Sequence, residues 1–105
     1  MNRAALERVA ATFRAFAEAT RLAILQELKD GPRSVNQLAQ TLQTSQANIS
    51  KQLRLLHDAE LLQREKNGTQ VFYQIKDDAV YQLCELVCDK LNRDAQSKSP
   101  FDFSI

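Results

Sequence analysis

Apolar residues along the chain recur mostly at helical spacing. Leu6, Val9, Ala10, Phe13, Phe16 and Ala17 fall three or four residues apart and predict a first amphipathic helix. Thr20 is placed to cap a second helix carrying Leu22, Ile24, Leu25 and Leu28, which Gly31-Pro32 ends. Ser34-Val35-Asn36-Gln37 has the Ser-x-x-Gln form of a capping box. It opens a short helix with Val35, Leu38, Ala39 and Leu42 turned inward. Gln43-Thr44-Ser45 supplies a turn and a new cap, and a fourth helix follows over about 45–59 with Ile49, Leu53 and Leu56 on one face. The period then changes. Residues 61–66 and 70–75 suit strands, and Val71, Tyr73 and Ile75 alternate to one side. Between them, Asn67-Gly68 signals a hairpin because both residues tolerate positive φ. Asp77-Asp78 caps a last helix with Val80, Leu83, Cys84, Val87 and Leu91 on one face.

The predicted fold is therefore mainly α with a small β-hairpin, in the order ααααββα: a winged helix-turn-helix. One domain over 1–93 is expected, followed by a flexible C-terminal tail over 94–105. In that tail Phe101, Phe103 and Ile105 are available to dock on a partner. At 105 residues the chain is only marginally large enough to be stable alone, so added burial between two copies would help. The composition, 44% hydrophobic and 26% charged, is that of a folded domain rather than a disordered chain. No run of about 18 apolar residues is present and the first residues lack a secretory signal, so a cytoplasmic protein without a membrane partner is expected.

A net charge of +1 says little by itself, but its distribution says more. Residues 32–76 hold six basic side chains (Arg33, Lys51, Arg54, Arg64, Lys66, Lys76) and three acids (Asp58, Glu60, Glu65). A positive middle steers toward phosphate. With Ile49, Leu53 and Leu56 on the buried side of the fourth helix, Ala47, Lys51 and Arg54 lie nearly opposite, at about 100° per residue. Gln46, Asn48 and Ser50 flank them near the N-terminal end, where Ser45 is the cap. Such side chains contact base edges or phosphates, and Ala47 can meet a thymine methyl. The hairpin adds Arg64 and Lys66 beside a tip that includes Gln70. The expected DNA-binding set is Ser45, Gln46, Ala47, Asn48, Ser50, Lys51, Arg54, Arg64, Lys66 and Gln70. The expected partner is double-stranded operator DNA.

These segments resemble a known family. Phe16-Ala17-Glu18-Ala19-Thr20-Arg21-Leu22-Ala23-Ile24-Leu25 resembles the opening signature of the ArsR/SmtB winged-helix repressors. Residues 45–56 resemble the family's recognition helix, and Ala59-Glu60-Leu61-Leu62 and Gly68-Thr69-Gln70-Val71-Phe72-Tyr73 its wing region. The likeness spans about residues 5–92. It implies a homodimer built from the first and last helices, repression of a promoter, and release on sensing an inducer. The apolar faces of those two helices point to a buried partner independently. The chain departs from the pattern at Ala19, where Pro is usual, at Gln52, where His is usual, and at Glu60, where Gly is usual. Gln43 also stands where the interhelical turn often has Gly, so a left-handed backbone there would be strained.

The family's thiol and histidine metal motifs are missing. The short helix has no Cys, and no His follows Asp78 on the last helix. What remains is Cys84 and Cys88, spaced i, i+4. They are candidates for effector sensing through a thiophilic metal ion or through cysteine oxidation or persulfidation, and equally suit plain burial. No cofactor is required by this reading. An alternative is a winged-helix protein–protein interaction module without DNA binding. A thiol enzyme is disfavoured, since there is no Cys-x-x-Cys, only one His and no Gly-rich phosphate loop.

Overall fold

The computed structural model describes residues 1–95 and 100–105. Among the described residues there are five helices: α1 (Arg3–Phe16), α2 (Ala19–Leu28), α3 (Val35–Leu42), α4 (Gln46–Asp58) and α5 (Ala79–Ala95). Three strands, β1 (Arg33–Ser34), β2 (Leu62–Asn67) and β3 (Gln70–Ile75), form an antiparallel sheet with β3 in the middle. The predicted winged helix-turn-helix is therefore present, with one strand added.

The helix starts follow from local hydrogen bonding. Ser34 and Gln37 form the reciprocal capping box, at 3.2 and 2.9 Å. Ser45 caps α4 by accepting from the Asn48 backbone N–H at 3.0 Å. The cap of α2 is Glu18 and not Thr20, because the extended backbone at Glu18 lets its carboxylate reach the Arg21 N–H at 3.0 Å. The backbone N–H groups of Thr20 and Arg21 hold that carboxyl below its usual range. α3 ends at Gln43, which is left-handed (φ 53, ψ 48), and the next N–H, of Thr44, closes back on Ala39 O at 3.1 Å. Glu60, after α4, is another non-glycine at positive φ, at 66°.

The sheet departs from expectation in two ways. β1 pairs with β3 through Arg33↔Tyr73 and Ser34↔Phe72. Two residues are too few to show a strand period, so this strand had no sequence signal. In the hairpin Asn67 pairs with Gln70, so the loop is Gly68-Thr69, one residue later than Asn67-Gly68. Only Gly68 takes a positive φ, at 68°, and Asn67 extends the strand instead.

The core lies where α2, α3 and α4 meet. Ile24, Leu25, Leu38, Ile49, Leu53 and Leu56 are all fully buried there. Burial of each such side chain is worth about 1.5–3 kcal/mol, so the packing fixes the angle of the α3–α4 pair. Leu61, Leu62 and Val80 join the wing and α5 to this core. The Tyr81 hydroxyl adds a polar tie, donating to Leu25 O at 2.9 Å.

α1 is different. Ala15 is its only buried residue, while Leu6 is 49% and Phe13 56% exposed. On α5, Leu86 and Val87 are likewise more than half exposed. α5 runs on through residues 94 and 95, and residues 100–105 lie back against the chain. Asn92 grips the Phe103 backbone at both ends, accepting from its N–H at 3.0 Å and donating to its carbonyl at 2.8 Å. Lys29 Nζ donates to Ile105 O at 3.0 Å. No helix among the described residues is long and apolar enough to cross a membrane.

Candidate nucleic-acid interface

The outward side of α4 carries Gln46, Ala47, Ser50, Lys51 and Arg54, all exposed, with the exposed Ser45 cap at its start. Their inward counterparts, Ile49, Leu53 and Leu56, are fully buried, so the helix cannot rotate without exposing its core face. The N-terminal end of α4 is the positive end of its dipole, which favours anions.

The wing turns from apolar to cationic along its length. Leu62, Arg64 and Lys66 share one face of β2, opposite Ile75, Tyr73 and Val71 of β3. Leu62 is buried, whereas Arg64, Lys66 and Gln70 are exposed. Among the described residues, Lys51, Arg54, Arg64 and Lys66 make no ion pair, unlike Arg3, Lys76 and Lys90, which pair with Glu7, Glu60 and Asp94. Four basic groups without acidic partners, on one helix face and one hairpin, are suited to phosphate.

Three residues of this region were not in the expected DNA-binding set. Asn36, near the start of α3, accepts from Gln46 Nε2 at 2.8 Å and so joins the α4 surface. β1 sets Arg33 in the same cross-strand row as Tyr73 and Arg64. Gln52 points into the fold at 7% exposure rather than onto the outward face of α4. Asn48, on the expected reading face, is half-buried with its amide engaged by Gln52 and Thr44, each at 3.1 Å. A helical wheel could place Gln52 near the core, but not its partner Arg21, 31 residues earlier.

The two cysteines meet in a groove of about 530 Å³ between α1, α2, α5 and residues 100–105. Phe13, Phe16, Leu22, Leu83, Val87 and Leu91 line it beside Cys84 and Cys88. Cys84 is buried and Cys88 half-buried, and both are free thiols. Burial, and then the neighbouring Cys88, push the Cys84 thiol up, which disfavours its thiolate. Among the described residues, no cluster of three or more His, Cys, Asp or Glu side chains is arranged to hold a metal ion.

Comparison with known proteins agrees with this geometry. Residues 16–65 match a family model described as a helix-turn-helix domain. The chain is 36% identical over 81 residues to the transcriptional regulator NmtR of Mycobacterium tuberculosis, covering 77% of this chain and 68% of that protein. It is 35% identical over 79 residues to the arsenical resistance operon repressor of Bacillus subtilis, covering 72% and 75% of the two chains. Its fold is similar to a homodimeric winged helix-turn-helix DNA-binding domain from Mycobacterium bovis, of a possible ArsR-family regulator. That likeness has a TM-score of 0.78 and 29% identity, over 93% of this chain and 91% of that one. With recognition helix, wing and relatives in agreement, the chain belongs to the ArsR/SmtB family of winged helix-turn-helix transcriptional regulators, which act on DNA.

Proposed function

We propose that this protein is a homodimeric, sequence-specific transcriptional repressor. It holds operator DNA with α4 and the β2–β3 wing, and releases it when a thiol-directed signal acts at Cys84 and Cys88. The observation that carries the reading is the set of basic groups Lys51, Arg54, Arg64 and Lys66, exposed and without ion pairs among the described residues. The base-reading residues are Gln46, Ala47 and Ser50 with Ser45 at the cap, and Gln70 supports the wing contact. The homodimeric neighbour and the exposed apolar residues of α1 and α5 support a dimer through those helices. So does a radius of gyration of 15.1 Å, larger than the ~13 Å of a compact domain of this length. The arsenical operon relative supports repression and a thiophilic signal. One chain offers two thiols, and a second copy would double them for a soft metal or metalloid ion. Oxidation or persulfidation would start at Cys88, the more exposed thiol.

The test is a titration of the chain against a duplex spanning the promoter upstream of its own gene. Lys51→Ala with Arg54→Ala should abolish binding at physiological salt. Losing two phosphate contacts should also lower the log–log salt slope by about 2. Unchanged affinity in that variant rejects DNA recognition by α4 and favours a protein-interaction module. The same titration with reductant, polysulfide or arsenite addresses the signal. Equal responses in wild type and in Cys84→Ser/Cys88→Ser eliminate cysteine sensing.

A further inference from the structure

One polar chain crosses the interior from the end of α1 to the start of α4. The Arg21 guanidinium donates through Nε to Ala15 O at 2.8 Å and through Nη2 to Arg14 O at 3.0 Å. Its Nη1 donates to Gln52 Oε1 at 2.8 Å. Gln52 Nε2 donates to Asn48 Oδ1 at 3.1 Å, and Asn48 Nδ2 donates to Thr44 Oγ1 at 3.1 Å. Thr44 immediately precedes the Ser45 cap of the recognition helix.

The direction of every bond in this chain is dictated by its first member. A guanidinium has donors and no acceptor. Gln52 must therefore turn its oxygen toward Arg21, which leaves its NH₂ facing Asn48. Asn48 must answer with its oxygen, which leaves its own NH₂ facing Thr44. Thr44 then accepts, and its hydroxyl proton is left for a group outside the chain. One cation on α2 thus sets the hydrogen-bond polarity at the DNA-facing end of α4. The same guanidinium holds the last carbonyls of α1, the helix with the exposed apolar face.

We propose that Gln52 is a positioning residue for operator recognition: it fixes α4 against the end of α1 through Arg21, and through Asn48 it leaves the Thr44 hydroxyl free to donate to a DNA phosphate. Asn48, with its amide committed inside the chain, then serves this relay rather than reading bases. The inference rests on α4 being the DNA-reading helix.

Gln52→Glu separates the two ends of the relay. It keeps an acceptor for Arg21, but a carboxylate cannot donate to Asn48. The Asn48 amide then reverses, and the Thr44 hydroxyl is drawn inward to donate to it. Thr44→Val removes the same hydroxyl, and with it the acceptor of Asn48 Nδ2, but leaves Gln52 and Arg21 paired. In the full-length protein, affinity is measured for the promoter duplex and for a scrambled duplex of equal length, alongside urea unfolding. Each variant should lose about tenfold in affinity for the promoter duplex and a comparable factor for the scrambled one, because a phosphate contact carries no base information. The double variant should lose little more than either single one, because both act on one hydroxyl. An unchanged promoter affinity in Thr44→Val overturns the proposal, as do fully additive losses. If Gln52→Glu fails to fold, Thr44→Val alone decides. Should Lys51→Ala/Arg54→Ala leave DNA binding intact, the reading of α4 fails first, whatever these variants do.

Discussion

The left-handed residue between α3 and α4 offers a test of the fold with a definite sign. Gln43 sits at φ 53 and ψ 48, a conformation that crowds Cβ against the following carbonyl. That costs a residue with a side chain about 1–2 kcal/mol. Gln43 is exposed, and no hydrogen bond of its side chain to a described residue offsets the cost. Gly removes the crowding but loses more backbone freedom on folding, about 0.5–1 kcal/mol. The expected net gain for Gln43→Gly is therefore about 0.5–1 kcal/mol. For a domain of this size that corresponds to a Tm rise of about 2–8 °C. Urea and thermal unfolding followed by circular dichroism will measure it, at one protein concentration because the proposed dimer would make Tm depend on concentration. Gln43→Ala is the control, since it keeps the Cβ and should gain nothing. Glu60→Gly relieves a similar strain at φ 66 but removes the 2.9 Å pair with Lys76, so it should gain less than Gln43→Gly. If Gln43→Gly is no more stable than Gln43→Ala, the assignment of strain to this turn is wrong.

Two further outcomes follow from single side chains. Burial pushes the Tyr81 phenol up from 10.0 to about 12, so the fold favours its neutral form. The resulting stabilisation is complete below pH 10 and is lost as pH rises through about 12. Tyr81→Phe should cost about 1 kcal/mol near neutrality through the lost bond to Leu25 O, and the gap from wild type should shrink above pH 10. A gap in urea midpoints that stays constant from pH 8 to 12 contradicts this. Asn92→Ala deletes both side-chain bonds to the Phe103 backbone, so hydrogen exchange at the Phe103 amide should accelerate at least tenfold. An unchanged exchange rate there means that the groove contacts alone seat residues 101–105.

Most of the architecture was legible because it rests on local signals. The Ser34–Gln37 capping box, the Ser45 cap and the 70–75 strand each follow from residues close together in sequence. The strain at Gln43 was foreseeable for the same reason. What escaped was non-local. β1 exists because Arg33 and Ser34 meet the β3 backbone some 38 to 40 residues away, and Arg21 reaches Gln52 across 31. Pattern reading put Asn48 on an outward flank, since periodicity locates a side chain on a helix but cannot see the amide that claims it. The seat of residues 100–105 was hidden likewise, because it depends on Asn92 meeting a backbone and not on any apolar period.

The sheet order β1-β3-β2 leaves β2 with an unpaired outer side along six residues. Such an edge is a template for another strand, and charged side chains are a common guard against that pairing. Arg64, Glu65 and Lys66 occupy its centre. The groups proposed to meet DNA phosphate thus also guard the wing against joining the wing of another molecule. The basic wing residues have two separate reasons to stay charged, one in the presence of DNA and one in its absence. Replacing them with apolar strand formers removes both at once.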